Sequence, residues 1–165
     1  MSQEIEPLLP REVWLASLPR VFAAAGCLIR DPEGRVLIVK AGYRPDWQFV
    51  GGTVDLGEDA AQCAGRELLE ETGLTGEAGA LLTVAWTHPV GDMPHPAVHF
   101  LFDFGTIPAD SPVTLPAGEL DAYRWATTEE ALTLLGPTRA PRLAAGLEAL
   151  ADGRTRMVTT PAGGF

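Results

Sequence analysis

The chain has 165 residues, 46% of them hydrophobic, and its 22 acidic side chains against 12 Lys and Arg leave a net charge of −10. That length suits one domain with a single core. With no basic stripe to offset phosphate repulsion, long nucleic acids are excluded as partners, whereas a small anionic substrate can bind once metal ions neutralise it.

No apolar run reaches membrane-spanning length, and the N-terminus is acidic and proline-containing where a signal sequence would be basic and apolar. The expected compartment is therefore the cytoplasm, with no membrane partner. Residues 1–20 read as an N-terminal extension whose residues 11–18 have helical spacing, with Trp14 packed inward and Pro19 ending the helix. The core domain is expected over 21–154. Val21 to Ile29 and Arg35 to Lys40 read as strands joined by the turn Asp31-Pro-Glu-Gly34, forming a hairpin. Trp47 to Val50 is a short strand running into Gly51-Gly52, where the chain turns toward a helix that ends at Gly73. Further strands are expected at Leu81 to Trp86, Val98 to Phe104 and residues 119–126, with a long hairpin loop from Thr87 to Ala97. Thr127 and Glu130 form a capping box for a helix over Thr128 to Leu135, and a last helix covers Ala140 to Ala151 despite Pro141 and Gly146. Residues 155–165 lack periodicity and are expected to fray. Cys27 and Cys63 form neither a metal spacing nor a disulfide framework and read as plain thiols.

The most informative feature lies on the helix that ends at Gly73. Glu67, Glu70 and Glu71 are related by i, i+3 and i+4 steps, so three carboxylates leave one face within a few ångströms of one another. Such crowding is unfavourable without a cation, and hard oxygen ligands suit Mg²⁺ or Mn²⁺, so a divalent metal site is the simplest account. Ala61, Ala64, Leu68 and Thr72 make a second stripe able to pack on a sheet. Glu58 lies in the approach to the helix, where a negative charge suits the exposed amides, and Arg66 is one turn before Glu70, placed to orient that carboxylate. A carbonyl from the glycine turn can approach the same ion.

Gly52, Glu58, Arg66, Glu67, Leu68, Glu70, Glu71, Gly73 and Leu74 stand in the order G-x5-E-x7-R-E-U-x-E-E-x-G-U, U being a bulky aliphatic. This pattern resembles the Nudix box at all nine specified positions, and the chain is identified by it as a Nudix hydrolase. The resemblance implies an α/β/α sandwich around a mixed sheet, with the box as strand-loop-helix. It also implies Mg²⁺-dependent cleavage of a diphosphate linkage in a nucleoside diphosphate joined to another group. By the same resemblance Glu67, Glu70 and Glu71 are the acidic metal ligands, with the Gly51 carbonyl beside them. Dimers occur in the family, so the resemblance admits a homodimer. Two positions depart from the pattern: Val50 stands where many relatives have proline, and Asp55 where glutamate is frequent.

Outside the box, Glu119 precedes the segment Tyr123-Arg124-Trp125 and is similar to the extra glutamate that assists metal binding or catalysis in many Nudix enzymes. The catalytic candidates are thus Glu67, Glu70 and Glu119, with the proton acceptor left open between Glu67 and Glu119. Tyr43, Arg44 and Trp47 lie just before the box; Arg44 is the candidate to grip a phosphate or terminal sugar, and Trp47 reads as half-buried scaffold. His88 is the second candidate for substrate contact, from the long loop. His95 and His99 are four apart, but the prolines around them forbid the helix that a zinc pair would need. Pro89 follows the box at an offset that resembles the ADP-ribose and ADP-sugar pyrophosphatases, which favours an ADP-linked sugar as substrate. Nucleoside triphosphates, oxidised ones included, and a non-catalytic nucleotide-binding module are the alternatives. An isoprenoid diphosphate isomerase would need a placed cysteine and histidines that are not evident.

Overall fold

The computed structural model describes residues 9–43, 45–89 and 93–160. In chain order they form α1 (Arg11–Ser17), β1 (Phe22–Arg30), β2 (Val36–Ala41), β3 (Trp47–Gln48), β4 (Val50–Thr53), α2 (Ala60–Thr72), β5 (Leu81–Thr87), β6 (Ala97–Thr106), β7 (Leu120–Ala126), α3 (Thr128–Leu134), α4 (Gly136–Asp152) and β8 (Arg156–Thr160). All the strands join one mixed sheet in the order β3-β2-β1-β6-β5-β8, with β4 paired to β1 and β7 to β2. The β1–β6 and β5–β8 pairs are parallel and the others antiparallel.

Burial on both faces explains why β1 and β2 are apolar almost without interruption. Along them Cys27, Ile29, Leu37 and Val39 point to one side and pack with Cys63, Ala64 and Leu68 of α2. Leu28, Val36 and Ile38 point to the other and meet Ala131, Leu135 and Leu143 of α3, its C-cap and α4. Period-2 alternation thus feeds two cores, one under each helical layer, and the architecture is the α/β/α sandwich that the box implied. Among the described residues, no helix is long and apolar enough to cross a membrane.

The Asp31 turn joins β1 to β2 as expected: the Asp31 carboxylate accepts the Glu33 and Arg35 amides and Arg35 Nε at 3.0, 2.8 and 2.6 Å. Beyond it the two strands splay. Only Arg30 and Val36 pair, and β4 takes the place of β2 beside β1, from Cys27↔Val50 to Ala24↔Thr53. This pairing fixes the entry to the glycine turn, so Val50, fully buried, does by strand pairing what a proline would do by fixing φ.

Three expectations are corrected. Trp14 does not pack inward: α1 buries none of its residues, and Trp14 is 47% exposed because so short a helix ends before its apolar side reaches either core. The last helix begins at Gly136, four residues before Ala140, because Pro137 occupies the first turn, where a missing amide is harmless. Residues 156–160 do not fray: β8 pairs in parallel with β5 from Thr83↔Arg156 to Thr87↔Thr160 and covers that edge of the sheet.

Candidate active site

The helix α2 is fixed at both ends by its own sequence. Asp59 is the N-cap; its carboxylate accepts the Ala61 and Gln62 amides at 2.9 Å each, and the Gln62 side chain accepts the Asp59 amide in return. At the other end Gly73 has φ 71° and donates to the Leu69 carbonyl, the left-handed stop that glycine favours. Between the caps the inward stripe consists of Cys63, Ala64, Leu68, Glu71 and Thr72, with Ala61 half-buried. Glu71 is thereby carried into the sheet side of the helix, where it is 4% exposed.

Gly51 and Gly52 bring main chain and carboxylates together. Gly51 has φ 148°, and a Cβ there would collide with the Ala25 carbonyl; its N–H donates to Glu71 Oε2 at 2.8 Å. A Cβ on Gly52 would occupy the place of the Glu67 carboxylate. Arg66 organises the rest. Its guanidinium donates to Glu58 Oε1 at 2.7 Å, Glu67 Oε1 at 2.8 Å, Glu70 Oε2 at 2.9 Å and the Thr53 carbonyl at 3.2 Å. Glu58 also accepts the Asp55 amide at 2.8 Å, which ties the turn to the helix. With Arg66 and that amide as partners, Glu58 is held ionised, its pKa down at about 2.

Gly51, Gly52, Arg66, Glu67 and Glu71 line one cleft of about 500 Å³ together with residues 24–26 of β1 and 99–101 of β6. Its acidic end holds Glu67, Glu71 and Glu119 beside Gly51 and Gly52. Burial raises the Glu71 carboxyl to about 8, against the lowering effect of the Gly51 amide, and Glu67, Glu119 and Glu70 raise it further. Burial likewise raises Glu67, which Arg66 opposes and Glu70 and Glu119 reinforce. Glu119 is exposed just before β7, and β2–β7 pairing brings it to the box although it is far away in sequence. Glu70 is turned outward onto Arg66, its side chain 57% exposed.

Among the described residues, no three His, Cys, Asp or Glu side chains are close enough to hold an ion in common. Arg66 draws Glu67 and Glu70 to itself, and Glu71 rests on the Gly51 amide. The donor set nonetheless fits a hard divalent cation: the donors are carboxylate and carbonyl oxygens, and among the described residues the buried Glu71 carboxyl has the Gly51 amide as partner and no cationic side chain.

Other sequence candidates separate. His88 is exposed and does not line the cleft, and Arg44 lies outside the described residues. Tyr43 lines the cleft, and Trp47 is half-buried with the Arg124 guanidinium 5.6 Å from its ring centre. His95 packs near Phe22 at 5.7 Å. Cys27 and Cys63 are buried free thiols, and burial pushes both pKa values up, Cys63 to about 11, so neither is a nucleophile.

The other end of the cleft went unread in the sequence. There His99 of β6 faces Arg139 and Arg142 of α4. Burial and the two arginines depress the His99 imidazole to about 3, leaving it neutral. The i, i+3 spacing of the arginines on one helix was the available signal, hidden because the helix was expected to start after Arg139.

The structure is thus a mixed sheet between helical layers, with an acidic cleft built on a strand-turn-helix. The pattern of the NUDIX domain matches residues 21–146, and the chain belongs to the Nudix family. It is 31% identical over 131 residues to an RNA pyrophosphohydrolase of Caulobacter vibrioides, covering 68% of this chain and 75% of that protein. It is 39% identical over 66 residues to nucleoside diphosphate-linked moiety X motif 6 of Xenopus laevis; the match covers 39% of this chain, which spans only 30% of that relative. In fold it is similar to a MutT protein from Methanosarcina mazei, with TM-score 0.68 and 23% identity over 80% of this chain and 96% of that one.

Proposed function

We propose that this protein hydrolyses a diphosphate linkage in a nucleoside diphosphate joined to another moiety, using Mg²⁺ or Mn²⁺. The observation that carries the reading is that Glu67, Glu71 and Glu119 line one cleft with Gly51 and Gly52, burial raising Glu67 and Glu71. Glu67, Glu70 and Glu71, with the Gly51 carbonyl, would hold the cation. When bound it would draw charge from the phosphate oxygens and lower the pKa of the attacking water.

The chain's own groups do the rest. Arg66 holds Glu67 and Glu70 in register, and Glu67 or Glu119 accepts the proton of the water, Glu67 being made more basic by burial. Attack at one phosphorus breaks the bridging P–O bond and gives two phosphate-ended products. The two unpaired cysteines support a reducing compartment, the cytoplasm.

On substrate, the ADP-linked sugar reading rests on Pro89 and on contacts from Arg44 or His88, and the exposed His88 weakens that support. A second reading, a nucleoside triphosphate, has an observation of its own: Arg142 is buried in the cleft beside Arg139, and a neutral sugar brings it no counter-charge. Comparing kcat/KM for ADP-ribose with common and oxidised triphosphates decides between them. AMP with ribose phosphate would mark the first reading, and inorganic diphosphate the second. Chelation should silence either reaction, and Glu70→Gln or Glu71→Gln should lower turnover by about 10² or more with the fold retained. Wild-type rates in both variants would remove the metal site as assigned.

A further inference from the structure

We propose that the basic end of the cleft, Arg142 and Arg139 of α4 with His99 of β6, binds a phosphate that the substrate carries in addition to the phosphates flanking the cleaved bond. The inference rests on the diphosphate-hydrolase reading and narrows its substrate class.

Arg142 is 9% exposed yet lines the cleft. Among the described residues its one hydrogen bond runs from Nε to the Thr138 carbonyl of its own helix, at 3.3 Å, and no carboxylate pairs with it. The charge nearest in effect is another cation: burial and Arg139 together pull the Arg142 guanidinium down to about 10. An acidic chain with only 12 Lys and Arg has therefore placed two of them in one hollow, with Arg142 nearly buried and no anion against it among the described residues.

A guanidinium present only for the packing of its stem would settle on an acid, and among the described residues it settles on none; it lines the cleft instead. The acidic end does not supply the counter-charge. Glu67 is shifted by burial, Arg66, Glu70 and Glu119, and Glu71 by burial, the Gly51 amide, Glu67, Glu119 and Glu70, while Arg139 acts on Arg142 and both arginines act on His99. Among the described residues, no acidic side chain pairs with Arg142. A guanidinium fork matches phosphate oxygens bidentately, and two of them match the near-double charge of a terminal phosphate better than the single charge of a carboxylate. The neutral His99 ring adds a donor or an acceptor without adding charge.

The test separates binding from chemistry. In EDTA, inorganic phosphate is titrated calorimetrically into wild type, Arg142→Met and Arg139→Met, with acetate and guanosine as comparison probes and thermal midpoints followed in parallel. Expected are phosphate binding in wild type with a midpoint rise of ~3 °C or more, at least tenfold weaker binding in both variants, and an Arg142→Met midpoint without phosphate no lower than wild type. Equal phosphate affinity in Arg142→Met, no binding in wild type, tighter binding of acetate, or binding of guanosine that depends on Arg142 would each overturn the subsite. In steady state with Mg²⁺, Arg142→Met should lose at least tenfold more kcat/KM on a triphosphate than on ADP-ribose, mainly through KM. Because the EDTA titration needs no turnover, an inactive protein would sink the hydrolase reading alone. An active enzyme whose phosphate binding ignores Arg142 would sink the subsite alone.

Discussion

Single residues set the geometry of the acidic end by what they leave out. Gly52 matters for the absent Cβ, since the Glu67 carboxylate occupies that space. Gly52→Ala should push Glu67 aside and lower kcat by about 10²-fold, the usual consequence of an ångström-scale misplacement, with far-UV circular dichroism unchanged. A wild-type rate would show that Glu67 does not work from where it stands. At the basic end His99 gives a pH signature. Its folded pKa of about 3 lies below the ordinary value of 6.5, so the unfolded chain takes up the proton first on acidification. The stability contributed by neutral His99 is complete above about pH 6.5 and lost as pH falls toward 3. His99→Gln should therefore flatten the decline of the thermal midpoint between pH 6.5 and 4, and parallel curves for the two proteins would count against a half-buried neutral imidazole.

Among the elements, α2 shows how far local sequence reaches. Its carboxylate face, apolar stripe and glycine stop lie within one short stretch and were readable from periodicity. The capping residue was not, because Glu58 and Asp59 are both acidic and only the observed bonds to Ala61 and Gln62 distinguish them. Asp59→Ala should cost about 1 kcal/mol of stability by denaturant titration, and Asp59→Glu should lose much of the same, since the longer side chain suits the cap poorly. Full stability in Asp59→Ala would show that the cap bonds hold nothing. In contrast α1, which reads equally well as an amphipathic helix, buries nothing. Amphipathicity shows that a helix has an apolar side, not what covers it.

At the scale of the molecule, β8 closes one edge of the sheet. Thr155 Oγ1 donates to the Leu81 carbonyl at 2.8 Å, and Arg156 is tied to Asp152 at 2.6 Å, anchoring the turn out of α4. Ending the chain after Gly153 should bare the β5 edge, lower the thermal midpoint by about 5 °C or more, and promote association that light scattering detects. A truncated protein as stable and monodisperse as the full chain would make β8 dispensable. The strand had no sequence signature because five residues without strong alternation gain their stability from the partner edge they meet.

The sequence alone determined the Nudix box and its helix, because those contacts are local: i, i+3 and i+4 neighbours meet wherever the helix sits. It also determined the almost uninterrupted apolar runs of β1 and β2, which the structure buries between two cores. Only the tertiary structure decided which distant groups complete the cleft. Glu119 arrives through β7 pairing with β2, His99 through β6 lying beside β1, and Arg139 and Arg142 through an α4 that begins at Gly136. Each depends on strand register or helix packing between segments far apart in sequence, and such contacts are fixed by the whole fold burying its two cores together, not by any pattern within the segments themselves.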